Sequence, residues 1–345
     1  LNILILHSQV LFTTGGAEVL VAGLQDALRS QGHRADIVAL PLAWNPVDRL
    51  LTTALAWSLL DVTTFNGVSV DLVVCTKFPT WAVRHPRKVL WLIHQHRQAY
   101  DWYGTAMSEF RPDDRDRSIR DRVIEIDQRG IGSCTPRFAI SRNVAGRLRR
   151  FCGIDADELY PPVPRRGLRP DAYDPFLLSV ARLDRAKRVG AIISAWPSVR
   201  SDLKLVVVGD GPERQALERL SSASGLDGRV EFRGRVTDQE LVRLYNRCRA
   251  VYYAPLDEDY GYATVEALAA GKSVLTAPDS GGVLEFVSDG ENGYVIPLES
   301  RELAGAVNRL ADEDVARGLG ARGPRIVEDL TWDRVVDSLL AGSGT

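Results

Sequence analysis

The chain has 345 residues, a length that suits two domains of ordinary size rather than a single core. With 45% hydrophobic and 26% charged residues it reads as a folded globular protein, and a net charge of −2 supplies no bulk positive field for nucleic acid. Cys75, Cys134, Cys152 and Cys248 form no CxxC pair, which argues against a zinc site or a disulfide framework and fits a reducing, cytoplasmic setting.

Short apolar runs alternate with helical periodicity along nearly the whole chain. The first predicted strand, Asn2–Leu6, opens without a basic leader. His7 follows it, then a loop ending Thr13-Thr14-Gly15-Gly16-Ala17-Glu18, then a predicted helix over Ala17–Gln31. Gly15 and Gly16 at a helix start let backbone N–H groups approach an anion, or simply make a turn before the helix. The motif is not GxGxxG and lacks the lysine of a P-loop. Strands are predicted over Ala35–Leu40, Asp71–Cys75, Lys88–Ile93 and Arg137–Ile140. Between the first two of these lies the longest apolar stretch, Leu50 to Leu60. Thr52, Thr53 and Ser58 interrupt it, and it is too short to span a bilayer.

His94-Gln95-His96-Arg97 and then Tyr100-Asp101 follow the Lys88–Ile93 strand. A histidine there either meets a ligand or bonds to backbone; His94 is preferred over His96 because it continues the strand. Arg111–Arg122, dense in alternating charge, reads as a solvated loop leading into a helix. Arg142, Arg147, Arg149 and Arg150 share one predicted helix with Val144, Leu148 and Phe151. That helix is either an ordinary surface element or a basic amphipathic stretch for peripheral contact with the inner membrane face.

The rhythm pauses at Tyr160–Pro175, where five prolines and three arginines fall without periodicity. This predicts a first domain over 1–163, a linker over 164–175, a second domain over 176–329 and a terminal helix over 330–345. In the second half, strands are predicted over Phe176–Val180, Lys204–Val208, Val230–Arg233, Ala250–Tyr253, Ser273–Thr276 and Gly293–Ile296. Helices are predicted over Glu213–Ser224, Asp238–Cys248 and Arg301–Ala311. Such alternation predicts parallel sheets with crossover helices, and ligands of those sheets bind at the carboxyl ends of the strands.

The residues just after each strand are therefore the candidates. Arg182 and Lys187 follow Phe176–Val180 and suit a diphosphate, or form a solvated basic turn. Gly209-Asp210-Gly211-Pro212 makes a tight turn that is also placed to pass near a nucleotide base. After Ala250–Tyr253 come Glu258, Tyr260, Gly261 and Tyr262, then Glu266. Glu266 lies among Val265, Ala267 and Leu268, where a carboxylate is costly to bury without a purpose. A carboxylate can accept two hydrogen bonds from the vicinal hydroxyls of a ribose. Gly281-Gly282 opens the next turn and could present N–H groups to the same ligand.

Together these residues resemble the retaining glycosyltransferases of family 4. The elements that carry the resemblance are Glu258 and Glu266 at Glu-x7-Glu spacing, Arg182 and Lys187 at Arg-x4-Lys spacing, and Gly281-Gly282 with Glu285. Gly15-Gly16-Ala17-Glu18 and Tyr160-Pro161-Pro162-Val163 add to it, as does the ending Leu330-Thr331-Trp332. Ala181 and Asp259 depart from the family at positions where glycine is common.

The resemblance implies a GT-B architecture: two Rossmann-like, doubly wound parallel-sheet domains facing a cleft, with a C-terminal helix crossing back to the first. It implies that Glu266 holds the nucleotide ribose, Glu258 the transferred sugar, and Arg182 and Lys187 the diphosphate, with no essential metal or cofactor. His94 would sit near the reacting carbon, with His96, Arg97, Tyr100 and Asp101 on the acceptor side. The partners would be a UDP- or GDP-linked sugar, of mannosyl type in one subgroup, and a hydroxyl acceptor. The alternatives are an epimerase or phosphorylase using the same donor, or a silent nucleotide-sugar binder.

Overall fold

The computed structural model describes residues 1–13 and 15–341. It separates into two compact units, one formed by Leu1–Pro161 with the segment from Thr331, the other by Pro162–Leu330.

The first unit runs β1 (Asn2–Gln9), α1 (Gly16–Ser30), β2 (Arg34–Pro41), α2 (Arg49–Leu59), a small hairpin of β3 (Thr64–Phe65) and β4 (Val68–Ser69), β5 (Leu72–Lys77), β6 (Lys88–His94), α3 (Asp114–Gly132), β7 (Arg137–Ala139), α4 (Arg142–Cys152) and β8 (Asp157–Glu158). Its main sheet has the order β2-β1-β5-β6-β7-β8, with every pair parallel. Helices cover both faces of such a sheet, so its central strands read as unbroken apolar runs; all six residues of β5 are buried. The strand order reverses between β1 and β5, which opens a crevice at their carboxyl ends.

Three elements go beyond their sequence-based reading. The apolar stretch from Leu50 is the helix α2, which buries Leu50, Thr53, Ala54 and Trp57, the i, i+3, i+4, i+7 stripe of an amphipathic helix. The charged stretch from Arg111 is mostly helix. Asp113 caps α3 by accepting from Asp116 N at 2.8 Å, and Ile119, Val123 and Ile131 form the buried seam. The two-residue edge strand β8 is wholly polar and carries no apolar signal.

The second unit runs β9 (Phe176–Val180), α5 (Val189–Ala195), β10 (Lys204–Val208), α6 (Arg214–Ala223), β11 (Val230–Gly234), α7 (Asp238–Arg247), β12 (Ala250–Tyr252), α8 (Tyr262–Ala269), β13 (Val274–Thr276), β14 (Gly293–Val295), α9 (Ser300–Leu310), α10 (Glu313–Gly320) and α11 (Gly323–Val327). The sheet order is β11-β10-β9-β12-β13-β14, again all parallel, with the reversal between β9 and β12. Residues 164–175 pack along this unit. The N–H groups of Asp171 and Ala172 both donate to the Asn246 carbonyl, and Tyr173 Oη donates to Gly271 O at 2.8 Å.

The last helix, α12 (Trp332–Ala341), belongs to the first unit. Trp332 packs edge-on against Trp91 and lies over Gly23 of α1, where an added Cβ would sit 2.3 Å from the indole. Glycine at that point is what lets the indole reach the helix backbone. No helix among the described residues is long and apolar enough to cross a membrane.

Candidate active site

In the second unit, the turn after β9 and the loop after β12 meet at the strand-order reversal. Asp184 accepts from Lys187 N at 3.2 Å and caps a single 3-10 turn, Arg185–Lys187, which sends the lysine side chain toward the β12 loop. There Lys187 Nζ forms an ion pair with Glu258 and lies 3.4 Å from Tyr253 Oη. Tyr253 Oη donates to the same carboxylate at 2.9 Å. Burial opposes the ammonium, but Glu258 and then Tyr253 outweigh it and hold the lysine above its ordinary value. Burial likewise pushes the Tyr253 hydroxyl up, so it remains a donor.

Arg188 fixes the surrounding loops. Its guanidinium donates to Ala254 O at 2.8 Å and Pro255 O at 2.6 Å and forks onto Asp279. Loops after three different strands are thereby tied to one side chain. Arg182, by contrast, is 56% exposed, with Asp184 at 3.8 Å. The structure brings Lys187 and Glu258 together and leaves Arg182 in solvent.

The glycines have backbone reasons for their identity. Gly209 has φ 125°, and a Cβ there would lie 1.9 Å from the Ala181 carbonyl oxygen. Gly261 has φ 89° and would press a Cβ against Tyr253 and Val283. Gly281-Gly282 opens only a short 3-10 turn, Gly282–Glu285, and the Gly282 N–H already donates to Glu258 O at 2.8 Å. That glycine pair therefore braces the Glu258 loop, and the Gly282 N–H is not presented to a ligand. Tyr260 packs edge-on against both Tyr262 and Phe286.

Glu266, on α8, is 2% exposed and pairs with Arg165, which also bonds the exposed Asp238 of α7. Burial pushes the Glu266 carboxyl up, and Arg165 opposes that push.

In the first unit, β1 extends to Gln9, so His7 lies inside the strand rather than after it. His7 Nε2 is 3.2 Å from Glu18 Oε1, and Lys77 Nζ, at the end of β5, is 3.6 Å from the same oxygen. The other Glu18 oxygen accepts from Gly15 N at 2.7 Å. Burial opposes the charge on Glu18, but His7, Lys77 and the Gly15 N–H together hold its carboxyl at about 2. The Gly15 N–H, expected to face an anion, is thus taken by a carboxylate of its own helix, while Gly16 begins α1 at the surface.

His94 ends β6 half-buried, with Nδ1 2.8 Å from Gln95 O. His96 is buried between Phe78 and Phe110, and burial with the nearby His94 charge pushes it down to about 3. The other residues expected on the acceptor side are largely engaged with one another. Arg97 Nε donates to Asp101 at 2.9 Å, its guanidinium stacks on Trp102, and Arg147 of α4 lies 3.6 Å from Asp101. Tyr100 Oη donates to the buried Asp127 at 2.6 Å, and Trp81 Nε1 donates to the same carboxylate at 3.0 Å. Arg147 is consequently buried rather than part of an exposed basic face, whereas Arg142, Arg149 and Arg150 are exposed.

Sequence reading did not single out Arg165, Tyr253, Arg188, Lys77 or Asp127. Only Tyr253 left a signal: it follows Tyr252 at a strand end, where successive side chains point to opposite faces. Tyr252 Oη accordingly donates elsewhere, to Arg188 O at 3.0 Å.

Residues 165–322 match the model of a family described as glycosyl transferases group 1. Among curated relatives, a GDP-mannose-dependent alpha-(1-6)-phosphatidylinositol monomannoside mannosyltransferase of Mycobacterium tuberculosis is 31% identical over 222 residues, 59% of this chain and 57% of that protein. A sucrose synthase of Acidithiobacillus caldus is 30% identical over 209 residues, 52% of this chain and 26% of that protein. The chain spans about half the length, or less, of these curated relatives. Solved structures with the same fold include Anabaena HepE in complex with UDP and glucose, with TM-score 0.71, 17% identity and coverage of 98% of this chain and 99% of that one. A sucrose-phosphate synthase from Thermosynechococcus elongatus gives TM-score 0.73 at 20% identity, covering 98% of both chains. Both units thus have the Rossmann-like form of the GT-B fold, and the match to the glycosyl transferases group 1 model falls within the second.

Proposed function

We propose that the chain is a retaining glycosyltransferase that moves a sugar from a nucleotide-diphosphate sugar, UDP- or GDP-linked, to a hydroxyl acceptor. The observation that carries this reading is the Lys187–Glu258–Tyr253 cluster at the strand-order reversal of the second sheet. Cleavage of the anomeric bond leaves negative charge on the diphosphate, and a cation already in place stabilises it without reorganisation. Lys187 supplies that charge, and Arg182, free to swing from solvent, adds a second donor. Glu258 accepts from hydroxyls of the transferred sugar, and Glu266 accepts from the ribose. Side chains answer the diphosphate charge, so no metal is required. The relatives, one GDP-mannose-dependent and one solved with UDP and glucose, support the donor class.

The test is single-turnover assay against a panel of UDP- and GDP-sugars with and without EDTA. Lys187→Ala is expected to lower kcat by about 10²–10³, the usual cost of removing one such donor. Glu258→Gln is expected to fall comparably, and EDTA to change nothing. Wild-type rates from either variant would sink the assignment.

A further inference from the structure

Arg165 lies at the start of the segment that leads into β9, 101 positions from Glu266, yet its Nη1 is bonded to the Glu266 carboxylate. Its other nitrogens hold Asp238 Oδ1 at the start of α7, Nε at 3.2 Å and Nη2 at 3.0 Å. One planar fork therefore joins a buried carboxylate to an exposed one, 2% against 82% side-chain exposure. An ionised carboxylate buried on an apolar helix is costly without a fixed cation beside it. The guanidinium uses part of one oxygen and Tyr245 of α7 hydrogen-bonds the same carboxylate, which leaves the lone pairs these two do not take to accept elsewhere.

We propose that Arg165 is a positioning residue for nucleotide recognition: it charge-balances and orients the Glu266 carboxylate so that its remaining lone pairs accept from the paired hydroxyls of a ribose. The ribose then shares the carboxylate with the arginine rather than replacing it. This rests on the donor-site reading given above. The groups facing Glu266 are Arg165, Tyr245 and Asp238 of α7, and Tyr262 of α8. Burial pushes both tyrosines up, so neither titrates near neutral pH.

The test is calorimetric titration of UDP and GDP into wild type, Arg165→Ala, Arg165→Lys, Asp238→Asn and Glu266→Gln between pH 5 and 8, with thermal melts of each. Arg165→Ala is expected to weaken binding about tenfold or more at pH 7, and the ratio to wild type should grow as pH falls. Loss of the adjacent cation raises a carboxyl by about one to three pH units, so Glu266 protonates earlier. Arg165→Lys keeps the charge without the fork and should recover part of the affinity. Asp238→Asn, which loosens only the anchor, should fall between Arg165→Lys and wild type. Binding by Arg165→Ala as tight as wild type or tighter would overturn the proposal, because the arginine would then be an obstruction. A pH-independent loss would overturn it as well. Should Arg165→Ala fail to fold, Arg165→Lys and Asp238→Asn decide on the same two criteria. If Glu266→Gln binds both nucleotides like wild type, the donor-site reading itself fails; if only Arg165 is silent, this inference alone does.

Discussion

Tyr253 Oη donates to Glu258 at 2.9 Å on the same oxygen that meets Lys187 Nζ. A tyrosine at a strand end thus couples the cation and the carboxylate of the proposed donor site. Tyr253→Phe keeps the ring and removes the donor. One hydrogen bond of this kind is worth about 1 kcal/mol. The expected result is a stability loss of about 1 kcal/mol together with a kcat reduced about fivefold, read by calorimetry and steady-state kinetics beside Lys187→Ala.

Gly209→Ala should destabilise the second unit by about 3 kcal/mol, because both its backbone angle and the space around it exclude a side chain. The Ala181 carbonyl belongs to the backbone and cannot swing aside. Denaturant unfolding of the variant against wild type measures the change; a loss below about 0.5 kcal/mol, the usual range of neutral surface substitutions, would show that the turn relaxes freely.

Glu18→Gln should destabilise the first unit by about 1–3 kcal/mol, since Lys77 and His7 lose a buried partner. The pH dependence has a definite sign. Folding holds the Glu18 carboxyl at about 2, below its ordinary value, so its contribution is present above about 4.5 and is lost as pH falls toward 2. Melts of wild type between pH 5 and 3 should show a steeper decline than those of Glu18→Gln.

Asp127 behaves in the opposite sense. Burial raises its carboxyl to about 7, although Tyr100 and Trp81 both donate to it. The protonated form is therefore favoured by folding, and its contribution is full below about 4 and is lost as pH rises toward 7. Asp127→Asn, which keeps a neutral side chain of the same shape, should flatten the decline in Tm between pH 4.5 and 7.5. An unchanged slope would place the titrating group elsewhere.

The sheets and the burial of Glu266 were legible in the sequence because each has a local cause. Central parallel strands are buried on both faces, so β5 and β6 appear as apolar runs, and Glu266 stands out against its apolar helix. The polar edge strand β8 has no such cause and stayed invisible. Tertiary partnerships were harder to see. Arg165 meets Glu266 across 101 positions and Lys187 meets Tyr253 across 66, and nothing near Arg165 distinguishes it from Arg166. The cluster of aromatics and charges after β6 was misleading for the converse reason. Arg97, Tyr100 and Asp101 look like ligand-facing groups in one dimension, yet they spend their hydrogen bonds on one another, on Arg147 and on Asp127.

The seat of Trp332 on Gly23 carries a consequence for biogenesis. The first half of the chain lacks its closing helix until the residues beyond Thr331 have emerged from the ribosome, by which time the whole second unit has been made. Domains otherwise tend to fold in order of synthesis. Here the later unit can finish first, and the earlier one waits with the notch at Gly23 uncovered. A chain truncated before Trp332 and released from the ribosome should accordingly carry a protease-resistant second unit beside a first one that is still readily cut.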